Sequence, residues 1–150
     1  MRLLIDADAC PVVGLAIEIA RARGAKVILV CDDAHVMERE GAQTVMVARG
    51  ADSADFRLVN LIQARDIVVT QDYGLAAMCL AKGARVLNQN GQEYDTDNID
   101  GLLSMRHVAK EARRAGRRGG RLKGPPKREK VQDERFAEAL RQLMEKEQTT

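Results

Sequence analysis

The residues Asp6-Ala7-Asp8-Ala9-Cys10-Pro11 hold the first chemically pointed spacing in the chain: two carboxylates two positions apart, directly after the apolar run Leu3-Leu4-Ile5. Carboxylates this close repel each other and resist burial, and a divalent cation between them relieves both costs. Further acids stand in comparable places. Asp52 and Asp55 open an amphipathic stretch, and Asp72 follows the apolar run Ile67-Val68-Val69. Asp6, Asp8, Asp52, Asp55 and Asp72 make an oxygen-only donor set, which suits Mg²⁺ or Mn²⁺ rather than zinc. A metal held this way activates water and stabilises charge on a scissile phosphate. Each acid also has a structural explanation. Asp8 can cap a helix opened by Pro11, with Asp6 bonding the same turn, and Asp52 and Asp55 fit a helix cap and its capping-box partner. Only their joint placement favours chemistry.

That placement depends on the elements between them. Residues 2–5 read as a buried strand, apolar on both faces. Residues 11–23 follow as an amphipathic helix with Val12, Val13, Ala16, Ile17, Ile19 and Ala20 on its stripe, stopped by Gly24. Residues 26–31 form a second strand, ended by Asp32-Asp33, a pair that could mimic the first but reads more readily as turn and cap chemistry. His35, one of two histidines, is a weak signal alone. Residues 43–47 are a third strand. A helix from Asp52 carries Phe56, Leu58, Val59, Leu61 and Ile62. Residues 66–70 make a fourth strand, residues 75–82 a helix, and residues 84–87 a fifth strand before a turn at Asn88 and Asn90-Gly91. Strand–helix alternation predicts an α/β fold of three layers, α/β/α, around a mainly parallel five-stranded sheet. If the strand order is 3-2-1-4-5, strands one and four are neighbours at the switch point, where open sheets place their sites. Asp6, Asp8 and Asp72 then share one crevice, with the helix from Asp52 starting at its edge.

The C-terminal third differs in character. Residues 98–116 read as an increasingly basic helix, and residues 116–126 are a Gly/Arg/Pro linker that cannot stay helical. Residues 133–146 read as a last helix with Phe136, Leu140 and Leu143 on one face. Residues 1–103 hold 10 Lys/Arg against 15 Asp/Glu, whereas residues 104–130 hold 11 against 2. A basic block beside an acidic domain points to a phosphate-bearing partner. The expected organisation is an α/β domain over residues 1–103, with residues 104–150 as a helical extension packing on it.

Composition narrows the function classes. Aromatics make up 3% of the chain and Trp is absent, which argues against a stacked-aromatic nucleic-acid platform. No apolar run approaches the roughly 18 residues of a membrane span. Cys10, Cys31 and Cys79 form no zinc pattern, and their odd number suits a reducing cytoplasm, the expected compartment. Cys10 precedes a helix start, but no second Cys or His stands near it in sequence, so it reads as a small packed residue rather than a nucleophile.

DADACP at the start, GADSADFRLV in the middle, TQDYGLA after strand four, and the late Gly/Arg/Pro segment with its following D-x-x-R-F resemble the YaiI/YqxD family over nearly the whole chain. The resemblance implies a PIN-like α/β/α fold with clustered acids in the position of a metal-dependent nuclease site. In it, Asp6 resembles the first PIN acid, Asp52 or Asp55 the middle one, and Asp72 the acid of a T-x-D motif. Asp8 is peculiar to the DADACP variant. Where many PIN nucleases place a fourth acid, this chain has Asn88 and Asn90.

The leading expectation is a phosphodiesterase acting on RNA or single-stranded nucleic acid with Mg²⁺ or Mn²⁺. Asp6 and Asp72 hold the metal, with Asp8, Asp52 and Asp55 as further ligands or as groups that orient water. Thr70 and Gln71 contact phosphate. Arg106, Arg113, Arg114, Arg117, Arg118, Arg121 and Lys123 bind the backbone, with steep salt dependence. A binding module without catalysis is the alternative, with the acids as structure. A haloacid-dehalogenase-type phosphatase fits the Asp6-Ala7-Asp8 spacing, but Cys10 stands where Thr or Val is expected and the late acid pair is missing.

Overall fold

The computed structural model describes residues 1–48, 53–105 and 127–149. Strands β1 (Arg2–Asp6), β2 (Lys26–Asp32), β3 (Gln43–Val47), β4 (Ile67–Val69), β5 (Arg85–Leu87) and β6 (Glu93–Tyr94) form one sheet in the order β3-β2-β1-β4-β5-β6. Helices α1 (Val13–Ala22), α2 (Ser53–Leu61), α3 (Tyr73–Ala81), α4 (described over 99–105) and α5 (Lys130–Thr149) complete the described fold. The 3-2-1-4-5 order expected from the sequence is present, and all its pairings are parallel.

The sixth strand is the difference. The turn after β5 reverses the chain at Gly91, whose φ of 85° lies in the left-handed region. A Cβ there would also meet the Arg135 carbonyl oxygen at 2.6 Å. The reversal brings Tyr94 opposite Val86 and Glu93 opposite Leu87, antiparallel. A two-residue strand is too short to show a period in sequence.

Both faces of the sheet are covered, which is why the central strands are apolar throughout. Leu3 and Ile5 face a core with α1 and α5, while Leu4 faces the opposite core of α2, α3 and α4. All three side chains are fully buried. At about 2 kcal/mol each, their burial fixes β1 at the centre. α5 starts earlier and ends later than the amphipathic run suggested, and it packs along α1 through Phe136, Leu140, Leu143 and Met144. α1 is shorter than expected, beginning at Val13 because residues 7–12 are turns that close the end of β1.

At the amino edge of the sheet, Arg2 clamps Asp66 at 2.6 Å and donates to the Leu61 carbonyl at 2.7 Å. Asp66 is buried, and it also accepts from the Gln63 amide at 2.9 Å. Removing the guanidinium leaves a buried carboxylate without its counter-charge. Arg2→Ala is therefore expected to cost about 3–5 kcal/mol, read as a lower urea midpoint. A change under 1 kcal/mol would show that this ion pair does not hold the edge of the sheet.

Candidate metal centre

The carboxyl edge of the sheet carries the acids. β1 ends in Asp6, and its pairing with β2 continues one step further, with the Ala7 amide donating to the Val30 carbonyl at 2.9 Å. The chain then turns sharply. The Cys10 amide reaches the Ala7 carbonyl at 3.2 Å, and Ala9 takes a left-handed backbone with φ 59°, a conformation that costs a non-glycine residue about 1–2 kcal/mol. Gln71 Nε2 donates to the Ala9 carbonyl at 2.9 Å and fastens this turn to the end of β4.

Thr70 is the hub of the next strand end. It is 2% exposed. Its hydroxyl donates to Asp6 Oδ2 at 2.9 Å and accepts from the Asp72 amide at 3.0 Å. Its carbonyl accepts from the buried Tyr94 hydroxyl at 3.4 Å, and Tyr94 meets Tyr73 edge-to-face at 5.8 Å. Asp72 caps α3, with Oδ1 accepting from the Leu75 amide at 3.1 Å. Asp55 lies in the first turn of α2.

Burial pushes the Asp6 carboxyl up to about 6; the Thr70 hydroxyl opposes the shift, and the charges of Asp55, Asp8 and Asp72 add to it. Three of the other four expected carboxylates thus act on Asp6. Asp52 lies outside the described residues, as do Arg106, Arg113, Arg114, Arg117, Arg118, Arg121 and Lys123. Thr70 and Gln71 are at the site, but both are already bonded within the chain, so here they position the acid cluster.

Two expectations change. Asp8 does not cap α1: Val12 takes that position with no side-chain cap bond, and Asp8 Oδ2 accepts from the Asp32 amide at 3.3 Å instead. Nor is the acid cluster free of nitrogen donors, because His35 joins Asp8 through Asp32. Asp32 makes the expected turn, accepting from the Ala34 and His35 amides at 2.9 and 2.8 Å, and also meets His35 Nδ1 at 2.8 Å. Strand pairing supplies the reason. β1 pairs with β2 as far as Asp6 and Val30, so the turn that follows, with Asp8, lies against the end of β2 where Asp32 stands. The signal in the sequence was that strands one and two both end in paired acids.

Burial raises the Cys10 thiol above its ordinary value, which agrees with a packed residue rather than a nucleophile. Thr70→Val keeps the shape and removes the hydroxyl. The Asp6 carboxyl is then expected to titrate above about 6, because the lost hydrogen bond lowered it. A carboxyl ¹³C NMR titration checks this, and an unmoved midpoint would place Thr70 outside the acid's control.

The fold and this edge define a class: a three-layer α/β protein with a mainly parallel sheet and a carboxylate cluster at its switch point. The chain belongs to the YaiI/YqxD family, whose model, described as "Uncharacterized BCR, YaiI/YqxD family", matches residues 4–146. It is 49% identical over 144 residues to a UPF0178 protein of Exiguobacterium sibiricum, covering 96% of each chain. A UPF0178 protein of Clostridium acetobutylicum is 46% identical over 144 residues, covering 96% of this chain and 97% of that one. One from Ruminiclostridium cellulolyticum is 47% identical over 140 residues, covering 93% and 90%. No solved structure matches. Among the described residues, no helix is long and apolar enough to cross a membrane.

Proposed function

We propose that this protein is a divalent-cation-dependent phosphodiesterase of PIN-like type, acting on RNA or single-stranded nucleic acid. The observation that carries the reading is the convergence of Asp8, Asp55 and Asp72 on Asp6, whose carboxyl is pushed up to about 6. The mutual repulsion of such a cluster costs the metal-free chain stability. A hard dication offsets its repulsion, and the carboxylate oxygens of Asp6, Asp8, Asp55 and Asp72 are the donors Mg²⁺ or Mn²⁺ takes. The buried Oδ1 of Asp8, without a hydrogen-bond partner among the described residues, fits the same need.

The chemistry the cation supplies when bound is activation of water and stabilisation of charge on the phosphate. The chain's own groups prepare the site. Thr70 holds one Asp6 oxygen and the Asp72 amide, which fixes the two strand ends relative to each other. Gln71 keeps the Asp8–Ala9 turn in place. A carboxylate of raised pKa can accept a proton from attacking water near neutral pH, a role that suits Asp6 or a neighbour not engaged by the cation. The basic residues between 104 and 130 would engage phosphates along the strand.

The test is cleavage of end-labelled RNA and single-stranded DNA with Mg²⁺, with Mn²⁺ and with chelator, in the wild type, Asp6→Asn and Asp72→Asn. Metal-dependent cutting lost in both variants supports the reading. Salt-sensitive binding without cutting in all three proteins would overturn it in favour of a binding module, the reading favoured by Asn88 and Asn90 standing in place of a fourth acid.

A further inference from the structure

We propose, on the phosphodiesterase reading of the acid cluster, that Phe56 and Tyr73 stack the bases of the substrate. The site would then select single strands with unstacked bases over a duplex or a bare phosphodiester. The chain has two Phe, two Tyr and no Trp. Phe136 and Tyr94 are fully buried, one in each core. The other two rings are not, and each directly follows an acid of the cluster: Phe56 follows Asp55, and Tyr73 follows Asp72. A single exposed apolar side chain needs no explanation. Both remaining rings of an aromatic-poor chain standing next to cluster acids do need one.

The elements put both rings at the same edge. α2 follows β3 and α3 follows β4, so both helices begin at the carboxyl edge of the parallel strands, and they pack against each other. Phe56 is 60% exposed, whereas Leu58 of the same helix is buried in the core. Successive helical residues are about 100° apart. With Asp55 near enough for its charge to act on Asp6, the Phe56 ring lies on the adjoining solvent flank. Tyr73 is half-buried and meets Tyr94 edge-to-face, with centroids 5.8 Å apart and planes at 68°. That geometry leaves at least one face of the Tyr73 ring clear of Tyr94. The Tyr94 hydroxyl donates to the Thr70 carbonyl at 3.4 Å, and the Thr70 hydroxyl donates to Asp6 at 2.9 Å. Tyr73 is thereby held in a set relation to the acids. Any base stacks on an aromatic face, for roughly a tenfold gain in affinity. In a duplex the bases cover one another, whereas an unpaired strand can splay them onto protein rings. Two rings do not make a continuous platform, but they suffice for the nucleotides beside the phosphate at the acids.

The test uses the full chain with Mn²⁺ and short single-stranded DNA, either intact or with one abasic nucleotide placed at successive positions. Phe56→Leu keeps an apolar side chain and removes the ring, and the exposure of Phe56 means that the change does not threaten folding. It is expected to raise KM about tenfold, far more than it changes kcat, and Phe56→Trp is expected to restore KM. An abasic nucleotide at the stacked position should cost the wild type the same factor and cost Phe56→Leu nothing further. Binding is read separately in an Asp6→Asn background, through quenching of a 2-aminopurine base in the same strand. The quench should appear with Phe56 present and vanish in Phe56→Leu. Equal cleavage of intact and abasic strands by the wild type, with KM unmoved in Phe56→Leu, would overturn the stacking proposal and leave the cleavage reading standing. Ring-dependent quenching with no cleavage by the wild type would do the reverse. No quenching at any labelled position would also overturn the proposal.

Discussion

Asp6→Asn is expected to reduce metal-dependent cleavage by about a thousand-fold, several kcal/mol of lost charge stabilisation, and at the same time to make the metal-free protein more stable. The two effects have one cause. Asp6 sits partly buried among Asp55, Asp8 and Asp72, and its carboxyl titrates at about 6 instead of 3.8. The folded state therefore holds its proton more tightly than the unfolded chain. Such a group contributes stability below the unfolded value, and that contribution is lost as pH rises through the folded one. Between pH 4 and pH 6 the metal-free wild type should lose roughly 2–3 kcal/mol from this group. The neutral Asn side chain should not show that fall. Divalent cation should restore the wild type above pH 6 and leave Asp6→Asn unmoved. Thermal unfolding at pH 4.5 and 7.5, with and without Mn²⁺, checks both halves. A variant less stable than the wild type at pH 7.5 without metal would show that the carboxylate is a structural asset, which would remove the argument for a cation there.

The second large effect is expected far from the acids. Phe136→Ala should destabilise the fold by about 3–5 kcal/mol, a large fraction of the roughly 5–15 kcal/mol that holds a domain of this size. Phe136 is fully buried, as are Leu140 and Met144, and together they seal the α1 face of the sheet. Without this helix, Leu3 and Ile5 would lose part of the layer that covers them. Urea unfolding followed by circular dichroism reads the effect directly. A loss under 1 kcal/mol would mean that α5 is an appendage whose face the rest of the chain can do without.

The sequence alone determined the elements and their order. Short unbroken apolar runs such as Leu3-Leu4-Ile5 and Ile67-Val68-Val69, alternating with amphipathic helices, read as strands covered on both faces and joined by parallel crossovers. It also marked Asp6, Asp55 and Asp72, because each stands directly beyond a strand or at a helix start. What it could not determine is which bonds each acid makes, since capping and ligation use the same residue types at the same spacings. Asp72 turned out to cap α3 and also to belong to the cluster, whereas Asp8 caps nothing. Only the tertiary structure decided that Thr70 joins Asp6 to Asp72, and that Asp8 meets Asp32 and His35 across the β1–β2 pairing. The physical reason is register: residues 24 positions apart in the chain become neighbours once two strands align, and local pattern carries no record of that alignment.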